Sequence, residues 1–206
     1  MLKIYGPVRS RAFRTIWMAH ELGIAYERVD VSLFGDNADA KKDWYLAINP
    51  NAKVPAIDLD GFKLWESSAI HIYLAKKYNS PLLPKTLEGE AEMLKWAFWA
   101  VNEVEPRTVA IMWNRVVAPL EKRNEAAAKD AEQGLQLPLK VLEQQLSKSA
   151  YLLGGEFSLA DFNVAAILYT AYALKLDLSA FPKVQGWLMN CIERPAAKAA
   201  RKLREA

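Results

Sequence analysis

The sequence predicts two domains of different class: an α/β domain over residues 1–79 and an all-α helical domain over residues 88–206, joined by a linker at 80–87. Three observations predict it. Short apolar-alternating segments, the period of strands, interleave with helical-period segments before residue 80 and nowhere after it. The stretch Asn79-Ser80-Pro81-Leu82-Leu83-Pro84-Lys85 sets two prolines among polar neighbours, which ends a helix and reads as a connection. Beyond it apolar residues recur only at helical spacing.

In chain order, Leu2–Tyr5 reads as a strand that stops at Gly6-Pro7. Arg11–Leu22 reads as a helix with Phe13, Ile16, Trp17 and His20 on one face, and Gly23 is placed as its left-handed stop. Tyr26–Val31 is a second strand and Val54–Leu59 a third, from which Asp60-Gly61 makes a two-residue hairpin into Phe62–Trp65. Glu66–Tyr78 is helical, with Ile70, Tyr73, Leu74 and Tyr78 on one face. The order is therefore β-α-β, a loop, then β-β-α. In the second domain Leu94, Ala97, Phe98, Val101 and Val104 predict one inward stripe, and Leu135, Leu139, Leu142 and Leu146 another, with Pro138 a point of kinking. Ser158 is placed as an N-cap: Asp161 completes a capping box and Phe157 with Phe162 a hydrophobic staple. A last helix pair runs through Val184–Cys191 and beyond Pro195.

Composition narrows the function. With 52% hydrophobic and 25% charged residues among 206, the chain has material for buried cores and is not a disordered segment. No apolar run reaches the ~18–20 residues a membrane span needs. The opening MLKIYGPVRSRAF holds no apolar stretch before a cleavage site, so no secretory signal is expected. A net charge of +3, spread evenly on both sides of residue 80, lacks the bias of a nucleic-acid binder. The basic cluster Lys198, Arg201, Lys202 and Arg204 reads as a solvated helix end. The single cysteine, Cys191, forms no internal disulfide and reads as a small core residue of a cytoplasmic protein. His20 and His71 stand apart from other ligand types, so no metal is expected.

Three local features of the first domain could carry chemistry. Pro55 opens the third strand; it is either an ordinary strand-starting proline or a cis proline that turns the Val54 backbone outward, where an extended peptide could pair with it. Glu66-Ser67-Ser68 opens a helix, either as a plain cap or as a seat for an amino-acid head group. In the latter case the helix N-terminus and Ser67 take the carboxylate and Glu66 the ammonium. Ser10, in the turn Pro7-Val8-Arg9-Ser10, either caps the following helix or donates to a thiolate and lowers a thiol pKa. Lys41 and Lys42 follow the second strand in a polar loop and either could pair with a carboxylate.

Together these features resemble a cytosolic glutathione transferase of the bacterial type and of the phi/theta-like serine class, over the whole chain. Lys41-Lys42-Asp43-Trp44-Tyr45-Leu46-Ala47-Ile48-Asn49-Pro50-Asn51-Ala52-Lys53-Val54-Pro55 is similar to the family's K-x-x-x-x-L-x-x-N-P-x-G-x-V-P stretch, and Glu66-Ser67-Ser68-Ala69-Ile70 to its E-S-x-A-I signature. The Ser158 cap is similar to its S/T-x-x-D helix start. Gly6-Pro7-Val8-Arg9-Ser10-Arg11-Ala12-Phe13-Arg14 aligns without gaps with the phi-type G-x-P-x-S-x-A-x-R pattern, its proline one place early. Ala52 stands where the family has glycine, and Ala40 where some members have a glutathione-binding histidine.

The resemblance implies a thioredoxin-like first domain, a glutathione transferase fold and a homodimer. It implies glutathione as co-substrate, with Glu66 and Ser67 at the γ-glutamyl end, Val54 ahead of cis Pro55 on the cysteinyl backbone, and Lys41 and Lys53 at the glycine carboxylate. Ser10 takes the catalytic position, with Tyr5, backbone N–H groups near Ser10, or Arg9 as rivals. The helical domain would contribute the pocket for a small, mostly apolar electrophile, with Val8, Phe34, Arg107 and Trp113 as candidate lining. The role the resemblance implies is detoxification, dehalogenation or peroxide reduction. A glutathione-dependent disulfide or peroxide reductase of the same fold is the alternative enzyme; its cysteine-nucleophile forms are disfavoured because Ser10 stands where they carry cysteine. A non-catalytic binding module is the alternative of another class, disfavoured because Glu66-Ser67 and the activating hydroxyl are both kept.

Overall fold

In the computed structural model, which describes residues 1–205, the chain divides into two units. One is Met1–Ser80 together with the segment from Arg194 onward; the other is Pro81–Glu193. The first is built on four strands, β1 (Leu2–Tyr5), β2 (Tyr26–Val29), β3 (Ala56–Leu59) and β4 (Phe62–Trp65), in the order β2-β1-β3-β4. β1 runs parallel to β2 and antiparallel to β3, and β4 is antiparallel to β3. Between β1 and β2 runs α1 (Ala12–Glu21); a short helix α2 (Asp43–Leu46) lies in the long loop, and α3 (Ser67–Lys77) follows β4.

Local chemistry accounts for the boundaries. Asp60 and Gly61 both have positive φ, 54° and 91°, as the tight hairpin between β3 and β4 requires. Gly23, φ 63°, ends α1 in the left-handed region. β3 is an inner strand, where a proline would cost a ladder hydrogen bond. The chain avoids that cost by placing Pro55 one residue ahead of the ladder, behind a cis Val54–Pro55 bond. The third strand is thus two residues shorter than its apolar run. β2 likewise stops at Val29, and Val31 leaves the sheet to be buried in a cluster with Tyr5, Ala40, Tyr45, Ile48, Val54 and Ala56.

Residues 12–19 of α1 are buried on every side, not on one face. α1 packs on β1 and α3, and its other side is covered by α9 (Pro195–Glu205), the last helix of the chain. This corrects the expectation that the helical domain extends to residue 206. The small side chains Ala197 and Ala200 let α9 lie close, and Arg194, just ahead of it, forms a bidentate pair with the buried Glu21 at 2.9 and 2.8 Å. Trp17 Nε1 also donates to Glu21, at 3.1 Å. A buried carboxylate without such partners would be strongly destabilising.

The second unit holds α4 (Leu87–Trp99), α5 (Glu105–Met112), α6 (Glu125–Leu146), α7 (Leu159–Ala173) and α8 (Pro182–Ile192). Thr86 caps α4 by accepting from Gly89 N–H at 3.0 Å, so the connection ends one residue earlier than expected. The buried stripe of this region is Met93, Trp96, Ala97, Ala100 and Val104, while Phe98 is exposed. That corrects the predicted stripe in phase: Met93-Leu94 and Trp96–Val101 are apolar nearly all round, and periodicity cannot choose a face there. Ala100–Val104 widens into a π turn, Glu105 N–H reaching back to Ala100, just ahead of Pro106, which has no N–H to give. α6 runs unbroken through Pro138.

α7 begins at the expected capping box. Asp161, buried, accepts from Ser158 N–H and Oγ at 3.0 and 2.7 Å, from Leu152 N–H at 2.8 Å and from Trp187 Nε1 at 2.9 Å. Burial pushes its carboxyl above the ordinary value against those donors.

Gly6, φ 129°, joins β1 to the turn before α1. A Cβ there would meet the Cβ atoms of Val54 at 2.8 Å and of Ala12 at 2.9 Å. Gly6→Ala therefore combines a forbidden backbone conformation with a clash on two sides, and is expected to lower unfolding stability by about 2–4 kcal/mol in urea denaturation. A change below half a kcal/mol would contradict this account of the junction.

Candidate functional site

The sheet register brings the three candidate segments to one end. Tyr5 pairs with Ala56, and Ala56 pairs with Trp65. The residues next in line, Gly6 leaving β1, Pro55 entering β3 and Glu66 leaving β4, therefore issue side by side from the same end of three adjacent strands.

The first segment is the turn Pro7–Ser10, closed by Ser10 N–H to the Pro7 carbonyl at 3.1 Å. Ser10 Oγ accepts from Ala12 N–H at 3.1 Å and donates to the Pro7 carbonyl at 2.6 Å. The hydroxyl thus takes the capping role, and Ala12 fixes the oxygen in place. Rotation about Cβ–Oγ alone re-aims its proton. Tyr5, the rival hydroxyl, packs among Trp44, Tyr45 and the core cluster. Burial, helped by Asp58 and Glu27, pushes its phenol pKa up, which makes it a poorer donor to an anion.

The second segment is the loop Asn49–Pro55. Buried Asn49 donates through Nδ2 to the Lys53 carbonyl at 2.7 Å and accepts from Asn51 N–H at 3.0 Å. The Tyr45 hydroxyl reaches the same Lys53 carbonyl at 2.6 Å, and burial pushes its pKa up to about 12. Ala52 takes φ 54°, the left-handed conformation that glycine adopts without cost. The cis Val54–Pro55 bond follows, as one of the two sequence readings expected. Among the described residues, neither the N–H nor the C=O of Val54 has a hydrogen-bond partner.

The third segment is the start of α3. Glu66 has φ 72° and ψ 112°, and its side chain does not cap the helix. A first turn without a side-chain cap leaves N–H donors for an incoming anion, beside the half-buried hydroxyls of Ser67 and Ser68.

The remaining candidates are scattered. Lys41 Nζ donates to the Gly35 carbonyl at 3.1 Å, and Lys53 is exposed. Lys42 pairs at 2.7 Å with Asp39, whose carboxyl is held down at about 2 by Lys42 and Ser32. Ala40 is buried. Val8 is buried, while Phe34 is 73% exposed and Trp113 45% exposed. Arg107 donates to the Glu103 carbonyl and lies along Gly134 of α6. Cys191 is buried. Among the described residues no group of three His, Cys, Asp or Glu could hold a metal ion, and no helix is long and apolar enough to cross a membrane.

Sequence reading missed one contact at the site. Arg204, taken for part of a solvated helix end, donates through Nη1 to the Val8 carbonyl at 3.2 Å and lies over the Phe13 ring. Helical spacing separates it from its exposed neighbour Lys202: Arg204 follows the buried Ala197 and Ala200 by seven and four residues, on one face of the helix. For the loop, Asn49→Ala removes the brace on Lys53 and is expected to cost about 1–3 kcal/mol and to speed amide exchange at Asn51, whose N–H loses its acceptor. Unchanged stability and exchange would contradict this account of the loop.

Comparison with known proteins agrees with this geometry. Residues 1–76 match the family model described as glutathione S-transferase, N-terminal domain, and residues 102–195 the model described as glutathione S-transferase, C-terminal domain. Glutathione S-transferase F10 of Arabidopsis thaliana is 35% identical over 177 residues, covering 84% of this chain and 80% of its own. Glutathione S-transferase GstB of Escherichia coli K12 is 30% identical over 203 residues, 96% of each. The theta class glutathione S-transferase of Xanthomonas axonopodis pv. citri, solved with glutathione bound, superposes with a TM-score of 0.87 at 27% identity, covering 97% of this chain and 96% of that one. The chain belongs to the glutathione S-transferase family.

Proposed function

We propose that this protein binds glutathione at the shared end of β1, β3 and β4, ionises its thiol and transfers it to small, mostly apolar electrophiles. The observation that carries the reading is the side-by-side emergence of three differently equipped segments. The unpartnered N–H and C=O of Val54 suit the cysteinyl backbone, paired as an added strand. The uncapped start of α3 with Ser67 suits the γ-glutamyl carboxylate, and Glu66 its ammonium. Lys41 and Lys53 are the cations assigned to the glycine carboxylate.

Ser10 supplies the activation. With its oxygen held by Ala12 N–H, the hydroxyl turns its proton from the Pro7 carbonyl to the sulfur. Lowering a thiol pKa by about 2 units corresponds to about 2.7 kcal/mol. One charge-assisted hydrogen bond of about 1.5–3 kcal/mol supplies most of it. The thiol proton leaves to solvent, the thiolate lone pair forms the new carbon–sulfur bond, and the electrophile's leaving group, or its displaced π pair, takes the electrons. The exposed ring of Phe34 is a candidate to meet the apolar part of the electrophile. A reductase running through a protein thiol is disfavoured: the turn carries Ser10 and the one cysteine is buried.

Detoxification in the cytoplasm, as a homodimer, is the role the family suggests; sedimentation at micromolar concentration tests the dimer. The chemistry is tested by following thiolate absorbance of bound glutathione against pH. The thiol pKa should fall about 2 units below that of free glutathione, and Ser10→Ala should return most of that difference while leaving affinity within threefold. Binding without any fall would leave a carrier or scaffold. Glu66→Ala is expected to weaken glutathione binding about tenfold or more, as removal of one partner of a charged contact does; unchanged affinity would remove Glu66 from the site.

A further inference from the structure

α9 is tied to unit-one neighbours at both ends. At its head, Arg194 grips Glu21 at the end of α1. At its tail, Arg204 Nη1 donates to the Val8 carbonyl at 3.2 Å, its guanidinium lies 5.3 Å from the centre of the Phe13 ring, and Arg9 Nε donates back to the Arg204 carbonyl at 3.1 Å. The second tie does not grip α1 alone. It grips the turn that carries Ser10.

The Val8–Arg9 peptide is the central peptide of the Pro7–Ser10 turn. Such a peptide has two orientations. Flipping it converts a type I turn to a type II turn, sends the carbonyl to the opposite side and demands positive φ at the third residue. Among the described residues neither Val8 nor Arg9 has positive φ, which places the turn on the type I side. A donor held on the Val8 carbonyl resists the flip, and Ser10 is the next residue along. Arg194, Ala197 and Ala200 also seat α9 on α1, apart from the Arg204 contact.

We propose that Arg204 is a positioning residue for thiol activation: by holding the Val8 carbonyl it keeps the Pro7–Ser10 turn in the orientation that aims Ser10 Oγ at the sulfur. The proposal rests on the glutathione reading above. Arg204 itself touches neither the thiol nor the electrophile in this scheme; it acts through Val8. The last turn of α9 thereby sets the acidity of a thiol bound beside the turn ahead of α1.

The test titrates bound glutathione in the full-length protein, wild type against Arg204→Ala and Lys202→Ala. Lys202 is exposed on the same helix, so its loss removes one positive charge without touching Val8. Arg204→Ala is expected to raise the bound-thiol pKa by about half a unit or more, a roughly threefold fall in the thiolate-to-thiol ratio. Glutathione affinity should stay within twofold, and Lys202→Ala should match wild type. Equal rises in both variants would make the effect one of long-range charge and overturn the proposal, as would an unshifted pKa in Arg204→Ala. Should that variant not fold, Arg204→Gln keeps an amide donor for the Val8 carbonyl without the charge. It is expected to retain at least half of the wild-type depression, and retention of none would overturn the proposal. A wild-type protein that binds glutathione without lowering its pKa sinks the transferase reading and this one together. A depressed wild-type pKa that Arg204→Ala leaves alone sinks only this one.

Discussion

The first unit depends on the missing side chain at residue 6. Because Gly6 has no Cβ, β1 leaves the sheet flush against Val54 on one side and Ala12 on the other. The same residue fixes three things at once. It starts the turn that presents Ser10, it seats the first residue of α1, and it sets how closely the loop ahead of Pro55 approaches. Any side chain there would force the Ser10 turn and the Val54 backbone apart. The short β3 and the cis Val54–Pro55 bond are the other half of the same arrangement: they keep proline out of an inner strand while leaving the Val54 N–H and C=O unpartnered at its mouth.

Each unit sets polar groups in braces. Asn49 and Tyr45 converge on one carbonyl, that of Lys53, immediately before Val54. The Glu21 side chain is buried at the far end of α1, where Arg194 neutralises it and Trp17 Nε1 donates to it. Asp161 gathers four donors in the helical unit. Each leaves its partners strongly unsatisfied if removed, so each makes the local arrangement specific as well as stable. By contrast, Val54 and the first turn of α3 hold groups without internal partners, as a binding surface requires.

Much of this was legible in the sequence. Gly23, Asp60-Gly61 and the Ser158–Asp161 box each specify a backbone conformation that few residues adopt, so they read directly. Pro55 is legible for the same reason, although periodicity alone left its isomer open. What did not read has physical causes too. The run Met93–Val101 is apolar on nearly every face, so its buried stripe came out one residue out of phase. The strand ends were overestimated because Val31 and Val54 are buried without being in the ladder. α9 was placed with the helical domain because its partner, α1, lies more than 170 residues earlier, as the separation of 173 between Glu21 and Arg194 shows. Arg204 shares a helical face with Ala197 and Ala200, but spacing does not say what that face meets. Only the fold shows that its guanidinium meets a loop carbonyl.

The central claim is that one glutathione occupies all three segments at once. A crystal structure of the complex tests it most directly. The account predicts the cysteinyl backbone paired with Val54, the γ-glutamyl carboxylate on the first-turn N–H groups of α3, and the sulfur in hydrogen-bonding contact with Ser10 Oγ, its proton turned away from the Pro7 carbonyl. A glutathione seated on Val54 and Ser67 with its sulfur directed to Tyr5, or one bound elsewhere, would contradict it.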